Sequence, residues 1–184
     1  MLHGIVSAIM SEMETKNMGV AWVVMGVCGC GKSALGSQLA ARLGLPFIEG
    51  DDFHSEENVD KMRAGIPLTD TDRAGWLRAL RAELAAAGEK GIVLSCSALK
   101  RAYRDVLRGE GGHGPQVRFV HLDGERALLD ARVRARPGHY MPASLLDSQL
   151  QTLERLQPDE AGMTLDIRAP LDELLAQVLA RAEA

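Results

Sequence analysis

The chain has 184 residues, a length typical of one folded domain with its own core. Hydrophobic residues make up 46% of it and charged residues 25%, a balance that excludes a disordered or fibrous chain. The formal net charge is -4, because 25 Asp and Glu outnumber 21 Lys and Arg, so we expect no nucleic-acid partner.

The apolar segment near the start of the chain is too short to cross a membrane, which takes roughly 20 apolar residues. Residues 1–17 also lack the basic and apolar regions of a secretory signal. We therefore expect a cytoplasmic protein with no membrane partner. Residues 1–17 are predicted to form a disordered extension, and residues 18–184 a single domain.

Apolar runs and helical repeats alternate from the start of this domain. Val20–Met25 predicts a strand, residues 34–43 a helix with leucines four apart, and residues 45–48 a second strand. A polar stretch then leads to a helix with Thr71 or Asp72 as its expected N-cap. The apolar face of that helix consists of Trp76, Leu77, Leu80 and Leu84.

The second half of the chain continues the alternation, with strands predicted at residues 92–94, 117–122 and 163–167. Apolar residues at helical spacing follow each of them. Alternating strands and helices predict βαβ units, hence an α/β fold with a five-stranded parallel sheet and helices on both faces.

One glycine-rich motif lies between the first strand and the first helix. It matches G-x-x-x-x-G-K-[ST] in full and consists of Gly26, Val27, Cys28, Gly29, Cys30, Gly31, Lys32 and Ser33. We expect all eight residues to bind ATP, with backbone N–H groups cradling the phosphates, Lys32 reaching the β- and γ-phosphates and Ser33 ligating Mg²⁺. The alternative is a glycine-rich turn with Lys-Ser by chance, and the flanking strand and helix argue against it.

A phosphate-binding loop leaves the reaction open, because ATPases, GTPases and metabolite kinases share it. The N-K-x-D stretch typical of guanine recognition is absent, which argues against a GTPase. Polar segments follow the second strand, at residues 49–54, and the third, at residues 95–100. We expect both to line the ligand crevice at the carboxyl edge of the sheet, although the acidic segment is also a plausible helix cap.

From Val20 to Leu179 the chain resembles the gluconate kinases. The resemblance rests on the glycine-rich motif, residues 49–54 and 95–100, and on Asn58, Lys61, Met62, Gly65, Pro67, Leu68, Asp70, Asp72, Arg73, Trp76, Tyr103, Arg104, Asp105, Arg132, Arg136, Gly138, His139, Gln149, Thr152 and Leu153. It implies ATP-dependent phosphorylation of D-gluconate at its 6-hydroxyl, for the pentose phosphate or Entner-Doudoroff routes. It also implies a P-loop kinase fold with a mobile lid, here around residues 132–145, and a homodimer.

The acidic residues Glu49 and Asp51 alternate along a predicted extended strand end, and so project to the same side. In the resembling fold the first such acid lies toward the metal and the second toward the acceptor hydroxyl. We therefore assign Glu49 to Mg²⁺ and Asp51 to the 6-hydroxyl. A polyhydroxy carboxylate also needs a cation and polar groups, which His54, Lys61, Arg73, Lys100 and Arg104 offer. Which cation meets the carboxylate stays open, and each is also explained as a solvated surface charge.

Arg132 and Arg136 are four apart and share one helix face. We expect them to act in catalysis with Lys32 and Asp51 by closing over ATP, the alternative being a basic helix end stabilised by its dipole. The chain departs from the family at Cys28 and Cys30, where members usually carry serine. Thiols at a helix N-terminus favour thiolate, so we expect sensitivity to oxidants.

Two rival functions remain at this point. One is another kinase of the same fold, acting on shikimate or adenylylsulfate. The other is a nucleotide-binding regulatory module without catalysis.

Overall fold

A computed structural model describes residues 19–109, 114–135 and 143–182. Within them, five strands form one sheet in the order β2-β3-β1-β4-β5, and every neighbouring pair is parallel. The strands are β1 Val20–Met25, β2 Phe47–Glu49, β3 Ile92–Ser95, β4 Gln116–Asp123 and β5 Gly162–Asp166. The predicted parallel sheet is confirmed, and each predicted strand overlaps an observed one.

Seven α-helices connect these strands in the described part of the chain. They are α1 Lys32–Leu43, α2 Glu56–Arg63, α3 Asp70–Ala87, α4 Arg101–Arg108, α5 Arg126–Ala135, α6 Ala143–Thr152 and α7 Leu171–Ala182. α1 packs against the sheet and α7, whereas α3 packs against α4. Ala21 to Met25 of the central strand are all buried, as expected for a strand covered on both faces.

The parallel register brings the carboxyl ends of three strands to one edge of the sheet. Glu49 of β2 lies level with Ser95 of β3, which lies level with Val24 of β1. The loops after these strands therefore meet beside one another. This edge is where open α/β sheets bind ligands.

Helix α2 was not predicted, because its sequence is almost entirely polar. Ser55 caps it by accepting a hydrogen bond from the Asn58 amide. The buried Asn58 side chain then donates to the Asp72 carbonyl at 2.8 Å, which joins α2 to α3. The predicted N-cap of α3 was wrong, since Thr69 caps it in a capping box with Asp72.

Arg104 of α4 is fully buried, and its guanidinium forms a two-bond ion pair with Glu160 at 2.7 Å for each bond. It also donates to the carbonyls of Ala98 and Glu154, at 3.1 and 3.0 Å. Ala98 has φ 42, the left-handed region that few alanines adopt. The expected substrate contact of Arg104 is therefore wrong, because every direction of its fork is taken up inside the protein.

No helix in the described ranges has both the length and the apolar character that a bilayer crossing requires.

We predict that Arg104→Met destabilises the fold by about 3–5 kcal/mol, because the buried Glu160 carboxylate loses its two-bond partner and keeps only the bonds from Arg108 and the Gln157 amide. Urea unfolding measures the loss. Arg101→Met is the matched control: Arg101 lies on the same helix in an exposed bidentate pair with Asp159, so its loss should change stability little. Equal stability of the two variants would contradict the structural role of Arg104.

Candidate active site

The glycine-rich loop lies between β1 and α1, and α1 begins at Lys32 with Gly31 as its N-cap at φ 100. No side chain caps this helix, so its first amides are available to an anion. Gly29 faces α5: a Cβ on it would lie 2.7 Å from the Val133 side chain. The loop is therefore held between the sheet and α5, and only glycine fits at Gly29.

Lys32 lies beneath this loop, and its Nζ donates to the Val27 carbonyl at 3.0 Å. Burial opposes the charge on Lys32. Groups nearby that carry or acquire negative charge, Cys30 and Asp51 first, outweigh burial and raise the pKa of Lys32. The ammonium group is therefore fully charged at neutral pH, as a phosphate ligand requires.

The acidic segment after β2 does not continue as an extended strand. Gly50–Phe53 forms a 3-10 turn, so the expected alternation of Glu49 and Asp51 is wrong. Glu49 accepts a hydrogen bond from the Ser95 hydroxyl, whereas the Asp51 side chain is 70% exposed. The turn brings the backbone of Gly50 against Ser95. Only glycine fits there, because a Cβ would lie 2.3 Å from the Ser95 carbonyl oxygen. The two acids therefore face different surroundings.

His54 follows this turn and is fixed by Trp76 of α3. The two rings stack with centroids 4.3 Å apart, and the Trp76 indole donates to the Gly50 carbonyl at 2.7 Å. Burial lowers the pKa of His54, although the Asp51 carboxylate, 4.0 Å away, opposes this. The imidazole is thus neutral at pH 7. Its buried Nδ1 has no hydrogen-bond partner among the described residues.

These parts meet in one cleft at the carboxyl edge of the sheet. Two of the walls come from the loop and the 3-10 turn, and the others from the α2–α3 connection and one face of α6. Its lining residues are Cys28, Lys32, Asp51, His54, Met62, Pro67, Leu68, Arg73, Ser97, Leu145, Ser148 and Gln149. The cleft therefore joins a phosphate loop to a carboxylate, a neutral imidazole and a guanidinium.

Arg73 is the predicted substrate cation that lines this cleft, apart from the loop lysine. Its guanidinium donates to the Leu68 carbonyl and lies 5.7 Å from the centre of the Tyr103 ring. These contacts fix the position of its charge. They leave guanidinium donors for an anion in the cleft.

Lys61 and Lys100 are not among the lining residues of the cleft, and each forms an ion pair with an acid of α3. Lys61 lies 2.8 Å from the Asp72 carboxylate and, as the largest of several causes, lowers the pKa of Asp72 to about 2. Lys100 lies 2.8 Å from the Asp70 carboxylate, which also accepts from the Tyr103 hydroxyl. Both lysines thus support α3, and neither is among the residues that line the cleft.

Arg132 of α5 donates to the Ile167 carbonyl at 2.7 Å, after β5. The next residue of α5, Val133, contacts Gly29, so Arg132 lies near the phosphate loop. Arg136 and most of the predicted lid, at residues 136–142, lie outside the described residues, as do residues 1–17.

Sequence reasoning gave no role to the residues of α6 that line the cleft. Leu145, Ser148 and Gln149 are spaced i, i+3 and i+4, so they share one helix face. The Gln149 side chain accepts a hydrogen bond from the Cys28 backbone N–H at 2.7 Å. The available signal was the resemblance to the gluconate kinases, which included Gln149 without giving it a role.

The cysteines differ from expectation. Burial raises the pKa of Cys28 and of Cys30, although the Lys32 ammonium opposes it at both. Burial likewise raises the pKa of Cys96 to about 12. Cys30 and Cys96 are at most 1% exposed. The expected thiolate character is therefore wrong, because desolvation outweighs the positive surroundings.

We predict that iodoacetamide modifies Cys28, the half-buried thiol, roughly tenfold or more slowly at pH 7.5 in the native protein than in urea. Thiolate is the reacting form, and a raised pKa lowers its fraction, so the native rate should still be climbing above pH 9. Peptide mass spectrometry at each pH measures it. A native rate that levels off below pH 8 would mean a lowered pKa instead.

With the geometry described, comparisons with known proteins identify the family. A family model described as "AAA domain" matches residues 22–156. A thermosensitive gluconokinase from Escherichia coli is 47% identical over 163 residues, covering 87% of this chain and 83% of that protein. A gluconokinase from Gluconobacter oxydans is 44% identical over 182 residues, covering 95% of this chain and 99% of that protein.

The fold agrees as well. The crystal structure of a gluconokinase from Sinorhizobium meliloti superposes with a TM-score of 0.79 at 47% identity, and the match covers 87% of this chain and 89% of that one. The loop, the acidic turn and the cleft thus occur in a chain that is 44–47% identical to two gluconokinases over most of its length. The chain belongs to the gluconokinase family of P-loop kinases.

Proposed function

We propose that this protein transfers the γ-phosphate of ATP to the 6-hydroxyl of D-gluconate, giving 6-phospho-D-gluconate and ADP. The observation that carries the proposal is the cleft itself, in which Lys32 lies on one wall and Asp51, His54 and Arg73 on the others. A phosphate donor and a polyhydroxy carboxylate can therefore lie side by side in it. The sequence relationship to gluconokinases supports the choice of acceptor.

The glycine-rich loop binds the nucleotide. The uncapped amides at the start of α1 bind phosphate oxygens, and the Lys32 ammonium stabilises the charge on the transferring group. Arg132, which the Ile167 carbonyl holds near the loop, contributes further positive charge toward ATP. Arg136 is proposed to do the same.

Mg²⁺ suits the oxygen donors available here. The Ser33 hydroxyl lies in the first turn of α1, and Glu49 lies at the end of β2. Hard oxygen ligands of this kind, with water completing the shell, are those that Mg²⁺ prefers. We propose that Ser33 holds the ion directly and Glu49 through water; when bound, the ion offsets charge on the phosphate oxygens.

The acceptor end uses the remaining walls. Asp51, exposed to the cleft, accepts a hydrogen bond from the 6-hydroxyl and takes its proton as the oxygen attacks the γ-phosphorus. The neutral His54 lines the cleft, and its Nε2, which lies 4.0 Å from the Asp51 carboxylate, binds a second hydroxyl. Arg73 meets the gluconate carboxylate, because its guanidinium is the fixed cation of the cleft that does not belong to the phosphate loop.

We further propose a cytoplasmic homodimer that supplies 6-phosphogluconate to the pentose phosphate pathway, as the family resemblance implies.

An ADP-release assay tests the substrate. We predict turnover with gluconate and Mg²⁺-ATP, and little with shikimate, adenylylsulfate or nucleoside monophosphates. Lys32→Met serves as the inactive control, since it removes the charge that acts on the phosphate. ADP release that is independent of all four acceptors would indicate a plain ATPase. Preference for another acceptor would reject gluconate as the substrate.

Two matched carboxylate changes test the roles of the acids. We predict that Asp51→Asn binds ATP normally yet loses about 10²- to 10⁴-fold in kcat with gluconate, the usual cost of a lost general base. Glu49→Gln should instead raise the Mg²⁺ concentration needed for half-maximal rate. Nucleotide titration and Mg²⁺-dependent kinetics separate the two. Unchanged kcat with weakened ATP binding in Asp51→Asn would mean that the assignments are reversed.

A further inference from the structure

The side chain of Gln149, on α6, forms a hydrogen bond with the phosphate loop. Among the described residues that follow the predicted lid, it is the only side chain that does so. Its Oε1 lies 2.7 Å from the Cys28 backbone nitrogen. A backbone N–H is a donor only, so the amide oxygen must face it. This fixes the orientation of the amide without reference to any other neighbour.

The Nε2 group of Gln149 must then point away from the loop. None of the described residues accepts a hydrogen bond from it, and Gln149 lines the cleft beside Cys28, Lys32 and Asp51. An amide nitrogen carries two hydrogens to donate. The cleft thus contains an oriented donor next to the phosphate loop, and its natural partner is a neutral or anionic oxygen of the acceptor.

We infer that Gln149 is a specificity-determining residue, which donates from Nε2 to a gluconate hydroxyl near the reacting end of the molecule. This rests on the proposed gluconate kinase activity. The hydrogen bond from the Cys28 amide holds the Gln149 side chain against the loop. Nε2 therefore binds the hydroxyl close to the place where the phosphate is transferred. A site built to bond a hydroxyl discriminates strongly against an acceptor that lacks it.

Two substitutions of similar size distinguish a role of Gln149 in binding gluconate from a role in supporting the phosphate loop. Gln149→Glu keeps an acceptor for the Cys28 N–H but has no donor. Gln149→Met lacks both. We expect both to raise the KM for gluconate by about tenfold or more. The uncharged Gln149→Met should change the KM for ATP by less than about twofold, whereas the carboxylate of Gln149→Glu also repels the phosphates and raises the KM for ATP.

Gln151→Glu is the control, because Gln151 lies on the same helix, is exposed and undergoes the same change of charge. Thermal unfolding and ATP titration check that all variants fold and bind nucleotide. The inference is overturned if Gln149→Glu has the gluconate KM of Gln151→Glu while Gln149→Met is impaired, which would leave a supporting role only. Wild-type turnover is measured first, so an enzyme inactive toward gluconate rejects the proposed function instead.

Discussion

The site depends on the parallel pairing of β2, β3 and β1, which brings the ends of three strands level at one edge. Glu49, Ser95 and Val24 lie in register there, and the chain leaves each strand into a loop of the cleft. The Gly26 amide even donates to the Ser97 carbonyl at 3.3 Å, joining two of these loops. Parallel strands need long crossovers, so the loops that meet at this edge come from parts of the chain that are distant in sequence. The cleft is a consequence of that topology.

Close contacts of the backbone at two positions near this edge leave room only for glycine. Gly50 lies against the Ser95 carbonyl and Gly29 against the side chain of Val133, and neither place has room for a Cβ. The first contact turns the chain after β2, which separates the environment of Glu49 from that of Asp51. The second packs the phosphate loop onto α5, which carries Arg132. Two glycines thus fix both the acceptor side and the nucleotide side.

The structure also sorts the cations by role. Lys61 and Lys100 are ion-paired with the acids at the start of α3, and Arg104 is enclosed with Glu160. The two lysine pairs hold α3, the helix that carries Trp76 and Arg73, and so act on the cleft through the position of these side chains. Lys32 and Arg73 remain as the predicted cations that line it. Their separation onto different walls suits a reaction between a triphosphate and a carboxylate, which would repel one another if unscreened.

The sequence by itself determined the α/β class, all five strands, and the phosphate loop with its lysine. These follow from local patterns, since apolar runs, helical repeats and a contiguous glycine-rich motif are properties of neighbouring residues. It missed the polar helix α2, whose stability comes from its Ser55 cap and from Asn58 docked on α3. The search for hydrophobic repeats does not detect such a polar helix.

Only the tertiary structure decided which polar residues reach the cleft. Arg73 and Arg104 are indistinguishable as sequence symbols, yet one lines the site and the other is buried beside a carboxylate 56 positions away. Cys28 and Cys30 lie at a helix N-terminus, as the motif indicated, but burial reverses the expected shift of their pKa. Gln149 meets a loop amide 121 positions away. Burial and long-range contact are properties of the folded chain, so no local pattern could supply them.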